Sequence, residues 1–304
     1  METPAYAAVD WGTSSFRLWL VDRNGEVLAE RRSNEGMTSA APVGFGKVLS
    51  SHLAAAGAPE GLPVIICGMA GARQGWIEAG YLDTPAALSA IPAAAVRVPE
   101  GLSDIRILPG LAQRSAAAPD VMRGEETQLL GAMDALGAGA HLVCMPGTHS
   151  KWVGVKDGEV TGFSTFMTGE LFDAISKHTI LAHSVADGQA VNGSGEAFRA
   201  AVAAVRDNPA LATNRLFSAR AGQLLHGLSA SDGRARLSGT LIGLEIAGAL
   251  TTSPADAAIA LVASGPLGTL YEHAFGAFGM TPAIIDADQA VRTGLSVAAR
   301  SLWL

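Results

Sequence analysis

Several groups of residues in this chain have the types and spacing for phosphate chemistry. Asp10 closes an apolar run, Tyr6–Val9, and a small hydroxyl-rich turn follows it, Trp11-Gly12-Thr13-Ser14-Ser15. Glycine lets backbone N–H groups approach a ligand, and hydroxyls donate to oxyanions. A carboxylate beside such donors makes sense when a divalent metal links it to phosphate. An ordinary solvated hairpin turn would carry the same letters. A second Gly-Thr turn stands at Pro146-Gly147-Thr148-His149-Ser150-Lys151, again behind an apolar run. His149 there reads as a loop residue lending backbone donors, because no companion His or Cys makes a zinc site. Lys151 reads as a phosphate contact or, more plainly, as a surface lysine at a strand start.

Other groups supply the remaining chemistry. Glu125 and Glu126 open a helix-like run, Leu129–Leu136. Capping explains one carboxylate, and the other is a candidate general base or metal partner. The loop after Leu62–Cys67 carries Arg73 and Gln74, and Arg73 suits a carboxylate or hydroxyls on a small substrate. A solvated arginine at a helix start is the plainer alternative. Thr168, Gly169 and Glu170 stand at a strand-to-helix corner, where Thr168 is a candidate N-cap and the corner a place to bind substrate hydroxyls. Late in the chain, Ser264, Gly265, Pro266 and Leu267 end an apolar run with a glycine turn, which suits the flat face of a nucleotide base.

These groups need an α/β framework. Continuous apolar runs at Leu62–Cys67 and Ala258–Ala263 read as strands covered on both faces. Phe45–Ala55, Asn214–Leu225, Ser238–Leu250 and Gln289–Trp303 read as helices, with Leu216, Phe217, Ala221, Leu224 and Leu225 as buried positions of the second. Asn24-Gly25 between strand-like runs signals a hairpin. The same grammar recurs, since Trp19 precedes Gly25-Glu26-Val27 by the interval that separates Trp152 from Gly158-Glu159-Val160. No Asp stands at the place of Asp10 in that second copy. Two related halves follow, each offering one turn to a shared ligand. The expected division is residues 1–112 and 113–304, with the small, polar Ala112–Asp120 as the crossing.

The 304 residues carry 49% hydrophobic and 16% charged residues, which fits a compact domain pair and excludes disorder. A net charge of −7 argues against nucleic acid and anionic membranes as partners. No apolar run reaches membrane-span length, and no secretory signal is read at the N-terminus. Cys67 and Cys144 end apolar runs and read as buried free thiols of a reducing compartment, so a cytoplasmic location is expected. The G-x-x-x-x-G-K-[ST] nucleotide loop is absent.

Val9–Leu20 (VDWGTSSFRLWL), Cys67–Trp76 (CGMAGARQGW), Met122–Ala132 (MRGEETQLLGA), Met145–Val153 (MPGTHSKWV) and Phe166–Phe172 (FMTGELF), with the region around Ser264-Gly265-Pro266, resemble the 2-dehydro-3-deoxygalactonokinases. That family lies in the actin-like ATPase and sugar kinase superfamily, and the resemblance covers essentially the whole chain. It implies two ribonuclease-H-like domains with a cleft between them. It further implies ATP-dependent phosphorylation of the terminal hydroxyl of a 2-keto-3-deoxy sugar acid, with magnesium, in galactonate breakdown. On this resemblance Gly12, Thr13, Ser14, Gly147, Thr148 and His149 hold the ATP phosphates. Asp10 orients the metal, through water. Ser264–Leu267 cradle the adenosine, Glu125 or Glu126 is the base, and Arg73, Gln74 and Thr168–Glu170 grip the sugar acid. The expected partner is a small-molecule sugar acid, with a homodimer left open. The rival readings are a phosphohydrolase of the same fold, a kinase for a different sugar acid, and a nucleotide-controlled scaffold.

Overall fold

The computed structural model describes residues 3–99, 103–251 and 257–304. In chain order the elements begin with β1 (Tyr6–Trp11), β2 (Phe16–Val21), β3 (Val27–Ser33), α1 (Met37–Val43) and α2 (Phe45–Ala55). Then come β4 (Val64–Gly68), β5 (Tyr81–Asp83), β6 (Ala86–Ala87), β7 (Val96–Arg97), β8 (Ile105–Ile107), β9 (Gly110–Gln113) and β10 (Asp120–Met122). The middle of the chain forms α3 (Glu125–Leu136), β11 (Ala140–Met145), β12 (Ser150–Lys156), β13 (Glu159–Phe166), α4 (Thr168–His178) and α5 (Ala182–Val185). The rest is α6 (Glu196–Asp207), α7 (Ala212–His226), α8 (Ala230–Leu250), β14 (Ala258–Ala263), α9 (Gly265–Ala277), β15 (Ala283–Asp286) and α10 (Ala287–Trp303).

Packing divides the chain into two compact units. Unit 1 is Met1–Ala138 with Lys156–Gly162 and Ala287–Leu304, and unit 2 is Gly139–Val155 with Phe163–Asp286. In unit 1 the sheet runs β3-β2-β1-β4-β8-β7. β1 pairs antiparallel with β2 and parallel with β4, and β4 pairs parallel with β8. In unit 2 the order β15-β14-β11-β12-β13 repeats that plan, with β14 parallel to both β11 and β15. Both halves therefore follow the mixed α/β, ribonuclease-H-like arrangement expected of them. Each has its own core, built around Trp11, Phe16 and Phe45 in unit 1 and around Trp152, Phe198 and Phe275 in unit 2.

The units are not cut by one break at 112/113. Residues of the expected crossing turn back as β9 and β10, paired antiparallel within unit 1. The last helix also returns to unit 1, because α10 lies directly on α3. A Cβ at Gly131 would sit 1.9 Å from the Ala290 carbonyl oxygen, and one at Gly294 1.9 Å from that of Thr127. Only glycine permits that approach.

Three local expectations are corrected. Lys151 is 5% exposed, a buried residue of β12 and not a surface lysine. Thr168 lies inside α4, whose N-cap is Met167. On α7 the residues buried are Ala212 and Ala219, while Phe217, Leu224 and Leu225 are 58%, 64% and 75% exposed. The helix turns its small residues inward, and the large apolar face that periodicity assigned to the core points to solvent. Both thiols are buried and free, as expected. Among the described residues no helix is long and apolar enough to cross a membrane.

Candidate functional site

In unit 1 the turn after β1 is held by its carbonyls. The Gly12 N–H closes the turn onto the Ser15 carbonyl at 2.9 Å. The carbonyls of Gly12 and Thr13 accept the first N–H groups of α1, from Met37 at 2.9 Å and Thr38 at 3.1 Å. Those amides are orphan donors of a helix start, so the contact satisfies both partners. It also leaves the N–H groups of Thr13 and Ser14 without a backbone partner among the described residues, beside exposed Thr13, Ser14 and Ser15 side chains. Of the expected amide donors, Thr13 and Ser14 are open and Gly12 is already used. Gly36 makes the seat, since a Cβ there would lie 2.5 Å from the Ser14 backbone.

Asp10 sits opposite Arg17 in the β1–β2 register and beside Cys67 on β4. Its Oδ2 accepts Arg17 Nη2 at 2.5 Å and Nε at 3.1 Å, while Oδ1 accepts the Cys67 thiol at 3.7 Å. Arg17 also pairs with Asp288 of α10. Gly68, at φ 89°, carries β4 past Asp10, and a Cβ there would lie 2.6 Å from the Trp11 carbonyl. Gly124, at φ 107°, packs on Gly68. The start of α3 is thereby brought to the strand end that carries Asp10.

The two acids of that helix start differ. Glu126 is fully buried, accepting the Gly124 N–H at 2.6 Å and the Thr127 hydroxyl at 3.0 Å. Burial, then the charge of Glu125, pushes its carboxyl up to about 8. Glu125 accepts the Arg123 N–H at 3.1 Å and keeps partial exposure. Both carboxylates turn back onto the two amides just before α3, and Glu125 is the one solvent reaches. Arg73 and Gln74 are exposed; the Arg73 side chain, 83% exposed, lies 3.6 Å from Glu78 and is not held against Asp10. Arg123, which sequence reasoning passed over, is packed in the same loop system, 4.5 Å over the Tyr81 ring and donating to the Gly80 carbonyl at 2.8 Å.

In unit 2 the Gly147 turn has a matching seat. The Thr148 carbonyl accepts the Glu170 N–H of α4 at 3.0 Å, and a Cβ at Gly169 would lie 2.5 Å from the Gly147 carbonyl oxygen. His149 Nε2 meets Glu170 Oε2 at 2.5 Å, joining two expected site residues at half-exposed positions. Beneath the turn lies a buried polar network. Ser150 Oγ accepts the Gly147 N–H at 3.4 Å and meets the Tyr271 hydroxyl at 3.2 Å. Tyr271 and Trp152 both donate to Glu245, at 2.7 and 2.8 Å, and Thr168 and Ser150 also bond it. Burial raises the Glu245 carboxyl, against these bonds.

A cavity of about 300 Å³ opens beside this turn. Gly147, Thr168, Gly169, Pro266 and Leu267 line it, with Phe172 and Arg234 on its wall. The Arg234 guanidinium lies 4.9 Å over the Phe172 ring. Of the expected phosphate and adenosine residues of this half, Gly147, Pro266 and Leu267 share this cavity, and Thr168 and Gly169 line it with them. Ser264 bonds Asp286 at 2.9 Å, and Gly265, at φ 64°, makes the turn into α9. Glu245 was legible as a lone acid in an apolar helix, and Arg17 as the cross-strand neighbour of Asp10.

The donors fit a hard cation. Among the described residues Asp10 Oδ1 has a weak thiol donor alone, and magnesium asks for one or two carboxylates with water and phosphate oxygens. Among the described residues no cluster of three or more His, Cys, Asp or Glu could hold a metal by itself.

The sequence model described as 2-keto-3-deoxy-galactonokinase matches residues 10–298. A probable 2-dehydro-3-deoxygalactonokinase, DgoK1, of Rhizobium meliloti (strain 1021) is 65% identical over 98% of this chain and 97% of its own. The 2-dehydro-3-deoxygalactonokinase of Escherichia coli (strain K12) is 34% identical over 99% of each chain. A Sinorhizobium meliloti crystal structure described under the same kinase name superposes with a TM-score of 0.95 at 65% identity, covering 98% of this chain and 99% of that one.

Proposed function

We propose that this chain, which belongs to the 2-keto-3-deoxy-galactonokinase family, transfers the γ-phosphoryl group of ATP to the terminal hydroxyl of 2-dehydro-3-deoxy-D-galactonate. The oxygen–phosphorus bond to the β-phosphate breaks, the substrate oxygen bonds the γ-phosphorus, and the hydroxyl proton is released. ADP and the 6-phosphate are the products, a step of galactonate catabolism. The observation that carries the reading is the cavity beside the Gly147 turn, where an apolar wall meets a phosphate-type turn.

The adenosine occupies that cavity, against Pro266 and Leu267. The open amides of Thr13 and Ser14 and the turn at Gly147–His149 bind phosphate oxygens. Magnesium, held by Asp10 through water, would neutralise charge on the phosphates. Glu125 takes the proton of the attacking hydroxyl, because Glu126 is buried and committed to the Gly124 N–H. Arg73 and Gln74 meet the sugar acid from solvent. Phosphoryl transfer needs positioning and charge stabilisation more than covalent help, which suits preset amides.

ADP release measured across 2-keto-3-deoxy acids and plain hexoses tests the reading. Turnover on 2-dehydro-3-deoxygalactonate is expected. Turnover confined to another sugar would overturn the substrate, and rapid phosphate release with ATP alone would favour a hydrolase.

A further inference from the structure

Among helices α6, α7 and α8 of unit 2 lies a cavity of about 470 Å³ that the kinase reading leaves unused. Its size falls in the range of about 300–1,000 Å³ common to small-molecule sites. Four alanines of α6 line it, so that wall leaves the space open. Two arginines reach it from different helices, Arg215 of α7 and Arg236 of α8. Neither side chain has a hydrogen-bond or ion-pair partner among the described residues, and the Arg215 Nε is buried as well. A guanidinium taken out of water without an acceptor is costly, and two cations facing one space repel each other. An anion between them relieves both costs. The two acids at the cavity do not supply that charge. Asp232 accepts the Ser229 hydroxyl at 2.8 Å in the first turn of α8, and Glu196 is exposed in the first turn of α6. Both stand where a helix dipole favours a carboxylate.

We propose that this cavity is a second ligand site, for a small hydroxylated anion of the sugar phosphate or sugar acid class. The two guanidinium groups take the phosphate or carboxylate head. The carboxylates of Glu196 and Asp232 accept hydrogen bonds from the hydroxyls. The site is separate from the cavity beside the Gly147 turn. Asp232, Arg236 and Thr240 repeat every four residues along one side of α8. Arg234, Ser238 and Ile242, which line the other cavity, lie about 200° around the helix from them. One helix thus stands between the two cavities, and the second site does not depend on what the first one binds.

Isothermal titration calorimetry of the full chain with 6-phosphogluconate tests this, with saturating ADP present to fill the nucleotide cavity. Saturable binding is expected. Gluconate and inorganic phosphate are the two halves of the probe, and whichever binds more tightly identifies the head group at the arginines. The double variant Arg215→Gln, Arg236→Gln should weaken binding about tenfold or more and leave ADP-release turnover unchanged. Ala200→Trp fills the cavity from an exposed position and should weaken binding as much, which keeps the test decisive if the arginine variant does not fold. Arg73→Ala should bind the probe as the wild type does. Failure of the wild type to bind any of the three at millimolar concentration overturns the proposal, as does unchanged binding in Ala200→Trp. A loss in Arg73→Ala would assign the probe to the acceptor site and overturn it equally.

Discussion

The two glycine turns are copies in backbone and opposites in what lies under them. Each is seated by a glycine at a strand-to-helix corner, Gly36 or Gly169, and each gives a carbonyl to the first amides of the helix that follows. The spacing that aligns Trp19 with Trp152 also aligns Gly36 with Gly169 and Arg17 with Ser150. The chemistry then parts. The first turn stands beside an ion pair, Asp10–Arg17, partly open to water. The second stands on Ser150, Tyr271 and Glu245, buried and mutually hydrogen-bonded, with Met145 where the first copy has Asp10. A carboxylate that keeps a face toward water can serve a metal and a reaction. A buried, satisfied network can only hold a shape. The two turns share a backbone plan, and only the first carries a partly open carboxylate.

The largest expected effect breaks the first copy. Asp10→Asn should lower kcat by about 10³ or more with the fold retained, read by ADP release and by thermal melting. Near-normal turnover would make the two turns equivalent and remove the distinction. In the second copy, Glu245→Ala should cost about 3 kcal/mol of stability, because it leaves the Tyr271 and Trp152 donors buried and unpaired. Glu245→Gln should retain most of it, and denaturant melts separate the two. A kcat loss in Glu245→Gln equal to that of Asp10→Asn would contradict a purely supporting role.

Glu126 sharpens the contrast through pH. Its folded value of about 8 lies above the ordinary 4.5. The folded state therefore holds the proton more tightly than the unfolded chain. Stability from this group is full below the unfolded value, declines as pH rises, and is lost once pH passes the folded value. The unfolding free energy of the wild type, read from denaturant melts, should fall between about pH 5 and pH 8 relative to Glu126→Gln, by about 2 kcal/mol or more. Parallel curves would mean that Glu126 is ionised in the fold. A smaller, matched pair of effects comes from Gly36→Ala and Gly169→Ala. Each puts a Cβ 2.5 Å from a turn backbone atom, and each should cost about 1–2 kcal/mol and weaken ATP binding.

Much of this was legible because the signals are local. The Gly-Thr turns, the Phe45–Ala55 helix and the buried strands follow from patterns within a dozen residues, and the structure places them there. The division into units was not, because the α3–α10 contact joins Gly131 to Gly294, and no local pattern announces a partner so distant in sequence. Periodicity found the apolar side of α7 but not its direction, since the pattern records that a face must be covered and not by what. The same holds for Thr168. Its place at a helix start suggested a cap, while its hydroxyl answers to Glu245, a residue of another helix.

The smallest expected effect concerns Arg73, an expected substrate residue that packing leaves loose. Its side chain is 83% exposed and its contact with Glu78 is a long 3.6 Å, so water screens any pair it forms. A guanidinium–carboxylate contact there is worth about 1 kcal/mol, or about fivefold in binding. Arg73→Ala should therefore raise KM for the keto-deoxy acid by about that factor, leaving KM for ATP and the melting temperature unchanged. The comparison of the turns makes the split informative. Arg73 belongs to the unit with Asp10, and a loss confined to the sugar acid would assign acceptor recognition to that unit. The cavity of the other unit would keep the nucleotide. A rise in KM for ATP of equal size would instead put Arg73 on the phosphates, and the separation of roles between the two copies would fail.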